Sequence, residues 1–257
     1  MNADWMQQAI LLVVGFAASF FSALAGGGAG LLQFPALILL GLGFAGAVAT
    51  HKVAVVALGV GSTARHLREG AQDWRFLGLC TLLGLPGVVF GTQLALRIPD
   101  REGELIFGTV NIGLGIFSIL RPQLGMQSLP RNRSGHGLLL GSLLTFGVGW
   151  LVGIVPSGPG IFATLLFLLW YGCDFRQAVA YTMLMVGLVW NAVGAVTAGL
   201  YGPVAWHWMA ALVIGGLAGG YLGSHLGLLK GNRFIKRAYE ILTLLMGVSL
   251  IAQGLLR

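Results

Sequence analysis

Two interrupted stretches hold the residues whose types and spacing best suit ligand binding. Gly26-Gly27-Gly28-Ala29-Gly30 and Pro156-Ser157-Gly158-Pro159-Gly160 each open a short apolar run, residues 31 to 43 and 160 to 172. A helix start presents amide N–H groups with no intrahelical partner and the positive end of the macrodipole, and both favour an anion. Gly27, Gly28, Ala29, Gly30, Ser157, Gly158 and Gly160 are therefore candidate substrate-binding residues, glycine letting the amides approach a ligand without a Cβ in the way. Lys52 is the only Lys or Arg well inside an apolar stretch. A charge there costs about 2.5–3.5 kcal/mol or more at the bilayer centre, so function is its default reading. It stands only five residues into its run, and snorkelling to a surface is the competing reading. His51 beside it titrates near neutrality and could carry a proton or donate to an oxyanion. Thr50 and Thr182 supply hydroxyls at similar places in the two halves of the chain. Asn191, in an apolar run, either lines a cavity or pins two helices together.

The elements that must position these residues are membrane helices. The 257 residues are 56% hydrophobic and 9% charged, against about 25% charged in a soluble domain. Apolar runs cover roughly 6–25, 31–43, 47–64, 76–96, 103–120, 137–155, 160–172, 177–200, 203–229 and 238–256. Most approach the ~20 residues that cross a ~30 Å hydrocarbon core, and none alternates as a barrel strand does. An all-α, polytopic integral membrane protein of about eight to ten transmembrane segments is predicted, short broken helices included. The first run is read as a membrane helix, since MNADWMQQ lacks the positive n-region of a signal peptide. Cys80 and Cys173 form no C-x-x-C, and no disulfide, metal site or cofactor is expected. Gly41 to Gly46 matches G-x-G-x-x-G, but the soluble βαβ frame that gives the motif meaning is absent. The five Trp residues near segment ends, Trp5, Trp74, Trp150, Trp206 and Trp208, read as interfacial anchors.

Sliding the sequence against itself aligns Gly84, Gly87 and Gly91 with Gly216, Gly219 and Gly223 at an offset of 132, and Trp74 with Trp206. These dispersed glycines read as helix-packing positions. At an offset of 130 the first interruption falls on the second. Two homologous halves follow, 1–120 and 137–257, with 121–136 as an exposed cytoplasmic linker. Corresponding loops differ in charge: Arg65, Arg68 and Arg75 have no basic counterpart near 200–203, and the Lys230, Arg233, Lys236 and Arg237 loop faces mixed charges at 97–104. The halves are therefore expected to be inverted, with the N-terminus outside and eleven of the fifteen basic residues in cytoplasmic loops. A four-plus-four arrangement with re-entrant pieces is the alternative. The net charge of +7 thus sets topology and implies no nucleic-acid partner.

GGGAGLLQFPAL, ATHKVAVV, the basic loop after them, GWLVGIVPSGPGIF and WNAVGAV, in this order and spacing, resemble the TauE/SafE sulfite exporter family over nearly the whole chain. That resemblance implies a permease of the bacterial inner membrane moving sulfite or a small organosulfonate. The expected partners are the small anion, membrane lipid and a coupling ion, for which a proton is the candidate. Alternating access between two halves is the expected mechanism. A membrane-embedded enzyme would need a cluster such as paired acids or a Ser-His-Asp set at membrane depth, and His66, His136, His207 and His225 lie scattered towards segment ends. A non-transporting subunit or scaffold stays open, although a scaffold has no need of two broken helices.

Overall fold

The computed structural model describes residues 2–70, 73–95, 100–155, 158–200 and 203–256, and these contain helices and turns with no strand. The helices are α1 (Asn2–Ala25), α2 (Gly30–Leu39), α3 (Phe44–Leu67), α4 (Trp74–Ala95), α5 (Asp100–Ile119), α6 (Gly135–Ile154), α7 (Pro159–Leu169), α8 (Phe175–Thr182), α9 (Asn191–Gly199), α10 (Met209–Lys230) and α11 (Asn232–Leu256). A π-helical stretch, Met183–Trp190, joins α8 to α9, so residues 175–199 form one span. Among the described residues, seven helices are long and apolar enough to cross a membrane, and Gly30–Leu39, Gly108–Ile119 and Pro159–Leu169 are shorter apolar helices. The long and short segments expected from the sequence are thus present. Asp100, Arg101, Glu102 and Glu104 explain why only the later part of α5 is apolar.

Backbone contacts set the direction of each helix. α1 runs parallel to α10, with Leu212 against Gly15 and Phe20 against Gly219 and Gly223. α3 also runs parallel to α10: Gly216 meets Ala54 and Ala57, Gly220 meets Leu58, and the Ser62 and Ser224 hydroxyls are 2.6 Å apart. α4 and α6 are parallel, Gly84 meeting Gly149 and Gly91 meeting Gly153. α3 is antiparallel to the 175–199 span, with Gly59 on Gly187 and Lys52 on Gly194. α5 is antiparallel to α11, with Gly108 on Gly247 and Ile251, and Ser118 3.0 Å from Glu240. A Cβ on Gly87 would stand 2.8 Å from the Trp150 amide nitrogen, and one on Gly219 would stand 2.9 Å from that of Phe20. These positions let helix backbones touch, which is how helices associate when lipid supplies no hydrophobic drive between them.

Two sequence expectations change, the basic loop at 230–237 and Trp208 as an anchor. The segment after α5 is largely exposed and is docked against α7. Leu129 N–H donates to Gly172 O (2.7 Å), Arg131 N–H to Tyr171 O (3.2 Å), Asn132 Nδ2 to Trp170 O (2.9 Å) and the Arg131 guanidinium to Leu169 O (2.5 Å). The last carbonyls of a helix have no intrahelical donors and sit at its negative end, so this strap completes α7. The basic loop expected at 230–237 is a one-residue joint at Gly231, because α11 already starts at Asn232. Lys236 is buried in α11, paired with Glu240 at 2.6 Å and donating to Ser118 Oγ at 2.9 Å. Trp208 is also buried, whereas Trp5, Trp74, Trp150 and Trp206 are exposed as interfacial anchors would be.

Basic side chains gather at one end of the bundle. Arg65 Nε donates to His225 (3.0 Å) near the end of α10, Arg176 to Leu228 O (2.8 Å), and Arg133 stacks 4.5 Å over the Phe76 ring.

Candidate functional site

α1 ends at Ala25, and Gly26, Gly27 and Gly28 then take positive φ values of 80°, 153° and 107° before α2 begins at Gly30. α6 closes at Ile154 and α7 opens at Pro159, with Gly158 at φ 99° as its N-cap. Only glycine enters that left-handed region without steric cost. At Gly27 close approach adds a second demand: a Cβ there would stand 2.7 Å from Ile161 N and 2.8 Å from Gly160 Cα. The two interruptions are thus in backbone contact, and the two short helices start from one place. Neither start has a side-chain cap; Leu31 N–H turns back to Gly28 O (3.0 Å) and Ile161 N–H to Gly158 O (2.9 Å), while Pro159 has no N–H.

A cavity of about 40 Å³ lies between these starts, room for a few waters where one needs about 10–15 Å³. Gly27, Gly28, Ala29, Gly30, Gly158, Gly160, His51, Lys52 and Asn191 line it. Nine candidate residues drawn from the two interruptions and two separate apolar runs therefore come together. Ser22, Val55, Leu58, Val152, Val155, Pro159, Met183, Val186 and Gly187 complete the wall. The polar groups are few, and the rest of the lining is aliphatic, as in most ligand sites.

Lys52 is 1% exposed. It does not snorkel. α3 begins at Phe44, three residues before the apolar run, and turns the side chain inward, where Nζ donates to Val152 O near the end of α6 at 3.0 Å. No ion pair among the described residues involves it. His51 is buried, with Nδ1 2.7 Å from Gln33 Oε1 of α2, and its ring meets Phe34 edge-on at 6.4 Å. Gln33 escaped the sequence reading, although a lone amide in the apolar run 31–43 was a legible signal. Asn191 Nδ2 donates to Val186 O at 2.6 Å, five residues back. It thereby adds a second donor, beside its own backbone N–H, to a carbonyl of the π stretch that brings Met183, Val186 and Gly187 to the cavity. Nothing in the sequence marked that stretch, and such bulges are frequent at functional sites.

The remaining candidates lie elsewhere. Thr50 is buried, and its hydroxyl accepts from Ala205 N–H at 3.0 Å, holding the segment before α10. Thr182 stands behind the wall: its hydroxyl is 3.0 Å from that of Thr164, which is 3.1 Å from Gly26 O. It braces the first interruption and does not line the cavity. Ser157 lies outside the described residues. Among the described residues no group of three or more His, Cys, Asp or Glu could hold a metal ion.

Comparison with known proteins bears on the whole chain. Residues 11–250 match the model of the family described as sulfite exporter TauE/SafE. The chain is 26% identical over 243 residues to a probable membrane transporter protein of Haemophilus influenzae, covering 95% of this chain and 94% of that one. It is 27% identical over 242 residues to the probable membrane transporter protein YfcA of Escherichia coli, covering 94% and 88%. It is 24% identical over 277 residues to the probable membrane transporter protein YunE of Bacillus subtilis, covering 97% and 99%. No solved structure matches. With a family match running nearly end to end over a multi-helix membrane bundle, this chain belongs to the TauE/SafE sulfite exporter family.

Proposed function

We propose that the chain is a permease of the bacterial inner membrane, not an enzyme, that carries a small sulfur-containing anion, sulfite or an organosulfonate. The observation that carries this reading is the convergence of two uncapped half-helix starts and the buried Lys52 on one cavity. Amides at a helix start suit an oxyanion, and an ammonium without a carboxylate partner suits it further. The family described as sulfite exporters supplies the sulfur.

Alternating access between inverted halves accounts for the architecture. Each half is a series of long, short, long, long and long segments, α1 to α5 and α6 to α11. The first long helix of each half packs in parallel on the fourth of the other, α1 on α10 and α6 on α4. The third helices, α3 and 175–199, instead run antiparallel and meet at Gly59 and Gly187, near their middles. A two-fold axis in the membrane plane explains antiparallel counterparts that meet at mid-depth, whereas an axis along the membrane normal would make them parallel. The basic end of the bundle is then cytoplasmic, and the cavity lies at the repeat interface.

Uptake of labelled sulfite, sulfoacetate, taurine and chloride into proteoliposomes, with and without a proton gradient, tests the proposal. Flux of sulfite or a sulfonate is expected, and its acceleration by the gradient would identify the proton as coupling ion. Flux of a cation alone would sink it.

A further inference from the structure

Lys52 raises a question of charge that the transport reading leaves open. Its ammonium is at least nine-tenths buried, lines the cavity, and has one carbonyl, Val152 O, as its hydrogen-bond partner at 3.0 Å. Among the described residues no Asp or Glu lines the cavity or pairs with this lysine. A buried cation without a counter-ion is costly, and a bound anion relieves that cost.

The helix termini do not add to the net charge. The starts of α2 and α7 each contribute about half a positive charge. The ends of α1 and α6 border the same cavity through Ser22, Val152 and Val155, and each contributes about half a negative charge. Two starts and two ends cancel, leaving the single formal charge of Lys52. His51 is the only other titrating side chain on the described wall, and it is tied to Gln33.

Resting on the proposed anion transport, we infer that the species carried is a monovalent anion: hydrogen sulfite or a sulfonate with no second negative group, not the sulfite dianion, sulfoacetate or sulfate. A monoanion and Lys52 make a neutral buried pair. A dianion leaves one negative charge uncompensated in a water-poor site, where the desolvation of that extra charge outweighs its added attraction to Lys52, at a cost in binding of roughly 100-fold.

Methanesulfonate and sulfate, similar in size and different in charge, test this in proteoliposomes containing the full chain. Methanesulfonate is expected to be carried with little change across neutral pH, and sulfate roughly 100-fold less well. Sulfite flux should fall as pH rises through the range where hydrogen sulfite loses its proton. Because methanesulfonate does not titrate there, sulfite flux must fall more steeply than methanesulfonate flux over this range, and a sulfite flux that holds or rises relative to methanesulfonate overturns the inference. Sulfate carried as well as methanesulfonate would also overturn it while leaving anion transport standing. No flux of any anion by folded protein would overturn the transport reading on which it rests. Lys52→Gln should weaken methanesulfonate binding by roughly 100-fold, with Lys52→Arg retaining most of it, and undiminished binding in Lys52→Gln counts against the inference. Should Lys52→Gln fail to fold, the wild-type ratio of methanesulfonate to sulfate flux decides alone.

Discussion

His51 and Lys52 stand on one wall of the cavity, on α3, and Met183, Val186, Gly187 and Asn191 stand on the wall formed by residues 175–199. Both are third helices of a five-segment series, and they cross at Gly59 and Gly187. Their backbones differ in that the second wall widens into a π stretch where it faces the cavity. Their chemistry differs more: the α3 wall carries the formal charge, while the other offers an amide, a thioether and aliphatic surface. The starts of α2 and α7, by contrast, both lack a side-chain cap and both follow glycine at positive φ. The comparison teaches that backbone from both short-helix starts builds the cavity, and that its lysine charge comes from α3 alone.

Substitutions can separate these contributions. Gly27→Ala should have the largest effect, because the methyl group meets the backbone of Gly160 and Ile161 and the φ of 153° is strained for alanine. A loss of roughly 2–5 kcal/mol is expected, read as a lowered unfolding temperature in detergent. Gly41→Ala, at φ 100° with no atom within 4 Å of the new methyl, is the control that keeps only the backbone strain. Equal losses in the two variants would show that the interruptions are not held by each other. Asn191→Ala should have the smaller effect, weakening anion binding about 3- to 10-fold through a lost hydrogen bond on the uncharged wall. If it matched the effect of removing Lys52, the two walls would share recognition equally, and the asymmetry drawn from them would be lost.

Much of the site was legible in the chain because its signals are violations of a uniform background. Among long apolar runs, two short ones preceded by Gly and Pro stand out, and so do a lysine and an asparagine. The same reasoning would have found Gln33. It could not separate Thr50 from His51: these are neighbours in sequence, yet one hydroxyl holds Ala205 and the other side chain faces the cavity. One residue along a helix is a rotation of about 100°, and in a membrane protein every face is apolar, so the hydrophobic pattern does not fix which face turns inward.

Composition and run length alone determined that this chain crosses a membrane repeatedly as helices, since lipid admits no unpaired backbone, and the charged joints determined which ends of those helices lie together. Only the tertiary structure decided that Lys52 points at the cavity, that residues 129–132 cap α7, and that the helix opposite α3 widens at Met183–Trp190. Each of these depends on a partner distant in sequence: Val152 for Lys52, Leu169 to Gly172 for the strap, and Gly59 for Gly187. A chain read one residue after another carries its solvent preference locally, but not the neighbour that will meet each side chain.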